Sequence, residues 1–199
     1  MRSDVHRDLT DSSRVFLDVW PVIAPMIGGG QLKPVEGNAE KGLEQNLDIL
    51  AGIDGFQLLE RQGVMRSIAT RVQWIPPQRS AYRTFTIRKS RPNGAKTELE
   101  KRLHSIEYRD LGYLYPHLTI QAYVRESTEE LLSVGIIRTI DLFACVRDHP
   151  SNETNRAGNG GEVFEIYRFD YLRRHGFPVH EWGCPQYQRS LTLDSRDAA

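Results

Sequence analysis

Cysteine is scarce in this chain: 199 residues contain two, Cys145 and Cys184, and no CxxC pair. That excludes a zinc site built on paired thiolates and a disulfide-stapled scaffold. It also points to a reducing, cytoplasmic compartment. Long apolar runs are missing too. The longest candidate, Val15–Ile27, is interrupted by Asp18, Pro21 and Pro25, well short of the roughly 18 or more apolar residues of a membrane-spanning helix. No membrane partner is expected. The first ten residues carry Asp4 and Asp8 in place of an apolar core, so they do not read as a secretory signal. There is no GxSxG, no HExxH and no histidine pair four residues apart, which argues against a serine-hydrolase elbow and a zinc-protease helix. Gly28-Gly29-Gly30 lacks the strand before it and the helix after it that a phosphate loop needs.

What is present is an ordinary globular composition, 39% hydrophobic and 26% charged, at a length that suits one domain with a sizeable core. Net charge is zero, with 26 basic and 26 acidic side chains. Their placement is uneven. Arg61–Arg109 holds twelve Lys/Arg against three Glu, whereas the rest of the chain holds fourteen basic and twenty-three acidic residues. A chain polarised in this way can present one face to a polyanion while the other suppresses indiscriminate sticking. The competing explanation is that these arginines meet acids brought near by folding.

Periodicity predicts a helix within the first 27 residues, capped by Asp11-Ser12-Ser13 and kinked or ended at Pro21. A second helix is expected over 38–50, on the Leu43, Leu47, Leu50 stripe. Ile53–Glu60 and Val64–Ile75 read as an antiparallel hairpin turned at Gln62-Gly63, and Tyr82–Arg88 as a third strand. After the turn Arg91-Pro92-Asn93-Gly94, a helix is expected over Lys96–Glu107. Strands are expected at Pro116–Val124 and Ile136–Val146, with a short helix around Thr128–Leu132 between them. A polar loop (148–161), a strand (Glu162–Phe169), a short helix (Asp170–His175) and a disordered tail (189–199) complete the chain. The fold class is α/β, a central mixed sheet flanked by helices.

Glu44 and Asp48 lie four residues apart, hence on one face of the second helix. Asp54 sits on the following strand. Alternation puts Ala69, Arg71 and Gln73 on one face of the next. If these elements pair, carboxylates converge beside a cation and an amide, the chemistry that holds a hard divalent metal and positions water against a phosphodiester.

The succession of acidic helix, Gly-Ile-Asp-Gly-Phe (52–56), turn and Ile-Ala-Thr-Arg-Val-Gln (68–73) resembles the αβββαβ core of the PD-(D/E)xK nuclease superfamily over residues 38–146. The N-terminal helix (1–30) and the C-terminal strand and helix (162–176) would be additions to that core. The resemblance implies a metal-dependent nuclease acting on nucleic acid, DNA foremost. Glu44, Asp48 and Asp54 would be candidate ligands for Mg²⁺ or Mn²⁺, with Glu44, Asp54, Arg71 and Gln73 as the catalytic set. The lysine position falls on Arg71 or on Gln73, depending on alignment, and neither alignment retains the second strand carboxylate. Arg71 would stabilise the phosphorane and Gln73 would orient water; arginine is a poor base because its pKa stays above about 12. Arg79, Arg83, Arg88, Lys89, Arg91 and Lys96 would track the phosphate backbone. Alternatives from other classes are a catalytically inactive nucleic-acid-binding or assembly subunit of a larger nucleoprotein system, and an α/β protein-interaction module with a basic face. A homodimer suits the nuclease reading.

Each candidate also has a local explanation. Asp54 before Gly55 can shape a turn, and Glu44 and Asp48 can be a solvated helix face. Arg71 and Gln73 can be the polar half of an alternating strand, and the basic run can be a charged edge.

Overall fold

The computed structural model describes residues 2–35, 42–43, 46–47, 51–151, 153–156 and 161–183, with side chains from Ser12 onward. Among the described residues the fold is α/β. A mixed six-stranded sheet runs β1 (Gln31–Pro34), β2 (Gly55–Leu59), β3 (Val64–Ile75), β5 (Leu118–Arg125), β6 (Leu131–Arg138), β9 (His180–Trp182). A second sheet is ordered β4 (Thr84–Ser90), β8 (Val163–Arg168), β7 (Thr154–Arg156). The helices are α1 (Arg2–Ile23), α2 (Glu98–Glu107), α3 (Thr139–Asp148) and α4 (Phe169–Arg174). None is long and apolar enough to cross a membrane.

The expected hairpin forms as β2–β3, in antiparallel register from Gly55 opposite Ile68 to Leu59 opposite Val64. Gly63 takes the left-handed conformation (φ 63°) that closes the turn. β3 then pairs with β5 in parallel, which requires a crossover, and α2 lies within it. Thr97 begins α2 with a reciprocal cap: its hydroxyl accepts from the Glu100 amide, and the Glu100 carboxylate accepts from the Thr97 amide. Among the described residues the order along this stretch is α1, β1, β2, β3, β4, α2, β5, with β4 placed in the second sheet.

Several expectations are corrected. α1 starts nine residues before Asp11-Ser12-Ser13, which lie inside it, and runs through Pro21 to Ile23 before tightening into a 3-10 turn, Ala24–Ile27. Burial of Val15, Phe16, Val19, Trp20 and Ile23 offsets the hydrogen bond that Pro21 cannot make. Residues 31–34 were not expected to form a strand. The strand expected at Tyr82–Arg88 is β4, displaced by two residues at each end and placed in the second sheet.

Ile136–Val146 is not one strand: β6 ends at Arg138 and α3 follows at once. The apolar run conceals the change of period, since Leu142, Phe143, Cys145 and Val146 bury one helical face. No helix forms around 128–132; a turn carries the chain into β6. The expected polar loop contributes β7. Most of the expected 38–50 helix and the 189–199 tail lie outside the described residues.

The six-stranded sheet has two unlike faces. Rows Thr70–Ile120–Ile136 and Val72–Ala122–Val134 alternate with rows Arg71–Gln121–Gly135 and Gln73–Tyr123–Ser133. The face holding Ile120, Ile136, Ala122 and Val134 belongs to one core with α1. The other belongs to a core with β4, β8, α3 and α4, built on Phe85, Ile87, Tyr123, Phe143, Tyr167 and Phe169.

Candidate functional site

Asp54 occupies the residue before β2. Its amide donates to the Ile68 carbonyl (2.8 Å) and its carbonyl accepts from the Val35 amide (2.9 Å). Its carboxylate accepts from the Thr70 amide (2.5 Å) and the Thr70 hydroxyl (3.3 Å). β2 stops pairing at Ile68 while β3 continues to Ile75, so Asp54 caps an amide that the ladder leaves over. Glu44 and Asp48 lie outside the described residues. Among the described residues no three His, Cys, Asp or Glu side chains gather in a way that could hold a metal. A hard divalent cation takes about six oxygen donors. Thr70 engages one oxygen of the Asp54 carboxylate, Oδ2; the acids expected to join it in holding Mg²⁺ or Mn²⁺, Glu44 and Asp48, are among those outside the described residues.

Arg71 crosses between layers. Its guanidinium donates to the Thr86 carbonyl (2.6 Å), to the Thr86 hydroxyl (2.9 Å) and to Glu98 on α2 (2.7 Å). Gln73 follows two residues along the same face, half-buried. Burial alone would raise the Glu98 carboxyl, but Arg71 and Arg102, with the Arg88 amide, outweigh it and hold Glu98 below the usual carboxylate range.

The basic run divides into three groups. Arg83 and Arg173 both grip Glu181 on β9, whose side chain is 1% exposed. Lys89 pairs with Glu165 (2.6 Å), which also accepts from the Tyr167 hydroxyl (2.9 Å). These cations are committed to buried acids. Arg79 and Lys96 are exposed; Arg79 reaches the Tyr82 hydroxyl at 3.4 Å.

The third group is a cluster. Arg88 and Arg91 approach the same carboxylate, Glu162, at 3.2 and 3.8 Å. Arg71 and Arg88 both stand over the Phe164 ring, at 5.6 and 5.4 Å from its centroid. Arg88 is held below the ordinary arginine value by burial, with Arg91 and Arg71 adding repulsion against the pull of Glu162 and Glu98. The Nε groups of Arg88 and Arg91 are buried and find no hydrogen-bond acceptor; Glu162 supplies opposite charge without the alignment of a hydrogen bond. Three guanidiniums thus share two carboxylates, Glu98 and Glu162, and each arginine side chain keeps 27–30% of its surface exposed.

The structure therefore brings Arg71, Arg88 and Arg91 together, and separates them in role from Arg83 and Lys89. Sequence reasoning missed Glu98, Glu162, Phe164 and Thr86 as their partners. Only Thr97-x-x-Glu100, the capping pattern that fixes the start of α2 and so places Glu98, was visible locally. Cys145 is buried, and burial pushes its thiol up to about 11, the opposite of an activated nucleophile. No protein-family model, no curated protein and no solved structure matches the chain.

Proposed function

We propose that this protein binds nucleic acid through its phosphate backbone, with Arg71, Arg88 and Arg91 as the anchoring cluster. One observation carries the reading: Arg71, Arg88 and Arg91 converge on two carboxylates, Arg71 and Arg88 over the Phe164 ring, leaving surplus positive charge on side chains that are 27–30% exposed. Guanidinium groups are suited to phosphate because their planar donors match its oxygens. Contacts of this kind fix position without reading sequence. The position of Asp54 ahead of β2 supports kinship with the nuclease core. The binding reading requires only the arginine cluster, whereas hydrolysis would further require Asp54 with Glu44 or Asp48 to hold a metal.

The test is affinity for duplex and single-stranded DNA and RNA against salt, with Arg88→Gln and Arg91→Gln beside the wild type. Each substitution should lower affinity on all sequences alike and reduce the salt slope by about 1. A flat salt dependence in the wild type would instead indicate an acidic protein partner. Adding Mg²⁺ or Mn²⁺ in place of EDTA, with Asp54→Ala alongside, separates binding from cleavage. Metal-dependent cleavage abolished in Asp54→Ala would restore the nuclease.

A further inference from the structure

The carboxylates that face the basic run are not held alike. Glu98 accepts from Arg71 (2.7 Å) and from the Arg88 amide (3.3 Å). Glu165 accepts from Lys89 (2.6 Å) and from the Tyr167 hydroxyl (2.9 Å), and Glu181 from both Arg83 and Arg173. Glu162 differs. Arg88 and Arg91 stand 3.2 and 3.8 Å from its carboxylate, yet their buried Nε groups find no acceptor. Its side chain keeps 28% of its surface exposed, so it has solvent on one side.

A β-bulge brings the two arginines to this one acid. Arg88 lies opposite Phe164 and Ser90 opposite Val163, so Lys89 is one residue more than β8 pairs. An extra residue breaks the alternation of sides along a strand. Arg91, three residues beyond Arg88, thereby returns to the carboxylate that Arg88 meets. Each guanidinium carries five N–H donors in a fixed fork, and phosphate oxygens can take two of them at once. Glu162 neutralises both forks and fills the geometry of neither. Arg91 and Arg71 repel Arg88, so the free protein holds an anion at this point.

We infer that Glu162 is a displaceable stand-in for phosphate: it neutralises Arg88 and Arg91 in the free protein and swings to solvent when a backbone phosphate of nucleic acid takes its place. The inference rests on the phosphate-binding reading above and adds a built-in competitor to it. A partly exposed ion pair without hydrogen-bond alignment contributes little, whereas aligned bonds from guanidinium to phosphate are among the strong ones. Exchange therefore favours the ligand. Rotation among staggered side-chain conformers moves the glutamate carboxylate without moving β8.

Fluorescence anisotropy in EDTA with labelled duplex and single-stranded DNA and RNA tests it. Glu162→Gln should tighten binding about 5-fold relative to the wild type, the equivalent of one weak competing ion pair. Glu60→Gln removes the same charge in the turn after β2, away from the cluster, and should leave affinity unchanged. Glu162→Gln should lose its advantage when combined with Arg88→Gln and Arg91→Gln, because the groups it competes for are gone. Thermal melts of each variant verify the fold.

Equal tightening by Glu60→Gln, or tightening that persists without Arg88 and Arg91, is a general effect of net charge and overturns the inference. Unchanged or weaker binding by Glu162→Gln also overturns it, and makes Glu162 a fixed organiser of the arginines. In each of these cases the phosphate reading stands where Arg88→Gln alone weakens binding. If Arg88→Gln binds like the wild type, both readings fall. Both fall as well if neither the wild type nor Glu162→Gln binds any strand. Binding by Glu162→Gln where the wild type shows none is the same competition at full strength and supports the inference.

Discussion

The two faces of the six-stranded sheet solve the same burial problem with different chemistry. Under α1, the rows through Ile120 and Ala122 meet Val15, Phe16, Val19 and Ile23 in an apolar contact. On the opposite face, the rows through Gln121 and Tyr123 meet polar partners as well as apolar ones. Arg71 reaches Thr86 and Glu98, Tyr123 donates to the Thr84 carbonyl at 2.7 Å, and Ser133 to the Tyr82 carbonyl at 3.2 Å. Hydrophobic contact gains about 25 cal/mol per Å² and asks only for fit. Buried charges lose hydration and gain little net energy, so those on the second face add little stability to the apolar core beside them. Both faces are held by apolar cores. The second also fixes where charges stand, and the arginine cluster opens to solvent on that side of the molecule.

That contrast can be broken experimentally. The largest effect should come from Glu181→Ala, which leaves Arg83 and Arg173 facing one another without their shared carboxylate. Breaking a buried pair in this way costs about 3–5 kcal/mol, measurable by urea unfolding. Burial acts against ionised Glu181, but the two arginines outweigh it and hold the carboxyl below its ordinary range. The stabilisation is therefore complete above the unfolded glutamate value and is lost as pH falls through the lower, folded one. Glu181→Gln should flatten that part of the acid limb of stability against pH.

On the apolar face, Ile120→Ala should cost about 3 kcal/mol through lost burial and a cavity. Unlike Glu181→Ala, its penalty should not change between neutral and mildly acid pH. A smaller effect is expected at Gly135, where a Cβ would come within 2.1 Å of the Phe169 ring. Gly135→Ala should destabilise by about 1–3 kcal/mol through overpacking, and Phe169→Leu in the same chain should recover part of it. Equal pH dependence for all three would remove the distinction between the faces.

Much of the framework was legible locally. The β2–β3 hairpin follows from strand patterning around Gln62-Gly63, α2 from the helical pattern expected over Lys96–Glu107, and β5 from the strand pattern expected over Pro116–Val124. Legibility failed where one apolar run served two elements: Ile136 and Ile137 end β6, while Leu142, Phe143, Cys145 and Val146 are the buried face of α3. It failed again at β1, whose four residues, Gln-Leu-Lys-Pro, carry almost no pattern and owe their pairing to β2. Of the candidate site, Asp54 was expected on the first strand of the hairpin and stands one residue before it; its bond to Thr70 depends on where β2 stops.

By itself the sequence determined the α/β class, the hairpin, the helix that follows Gly94 and the concentration of positive charge in one quarter of the chain, because turn chemistry, periodicity and composition are properties of neighbouring residues. Only the tertiary structure decided what that charge does. Lys89 meets an acid 76 residues away and Arg83 one 98 residues away, while Arg71, Arg88 and Arg91 gather around Glu98, Glu162 and Phe164. Coulombic pairing acts through space at a few ångströms, so the partners of a charge are set by the fold and leave no mark in the residues beside it.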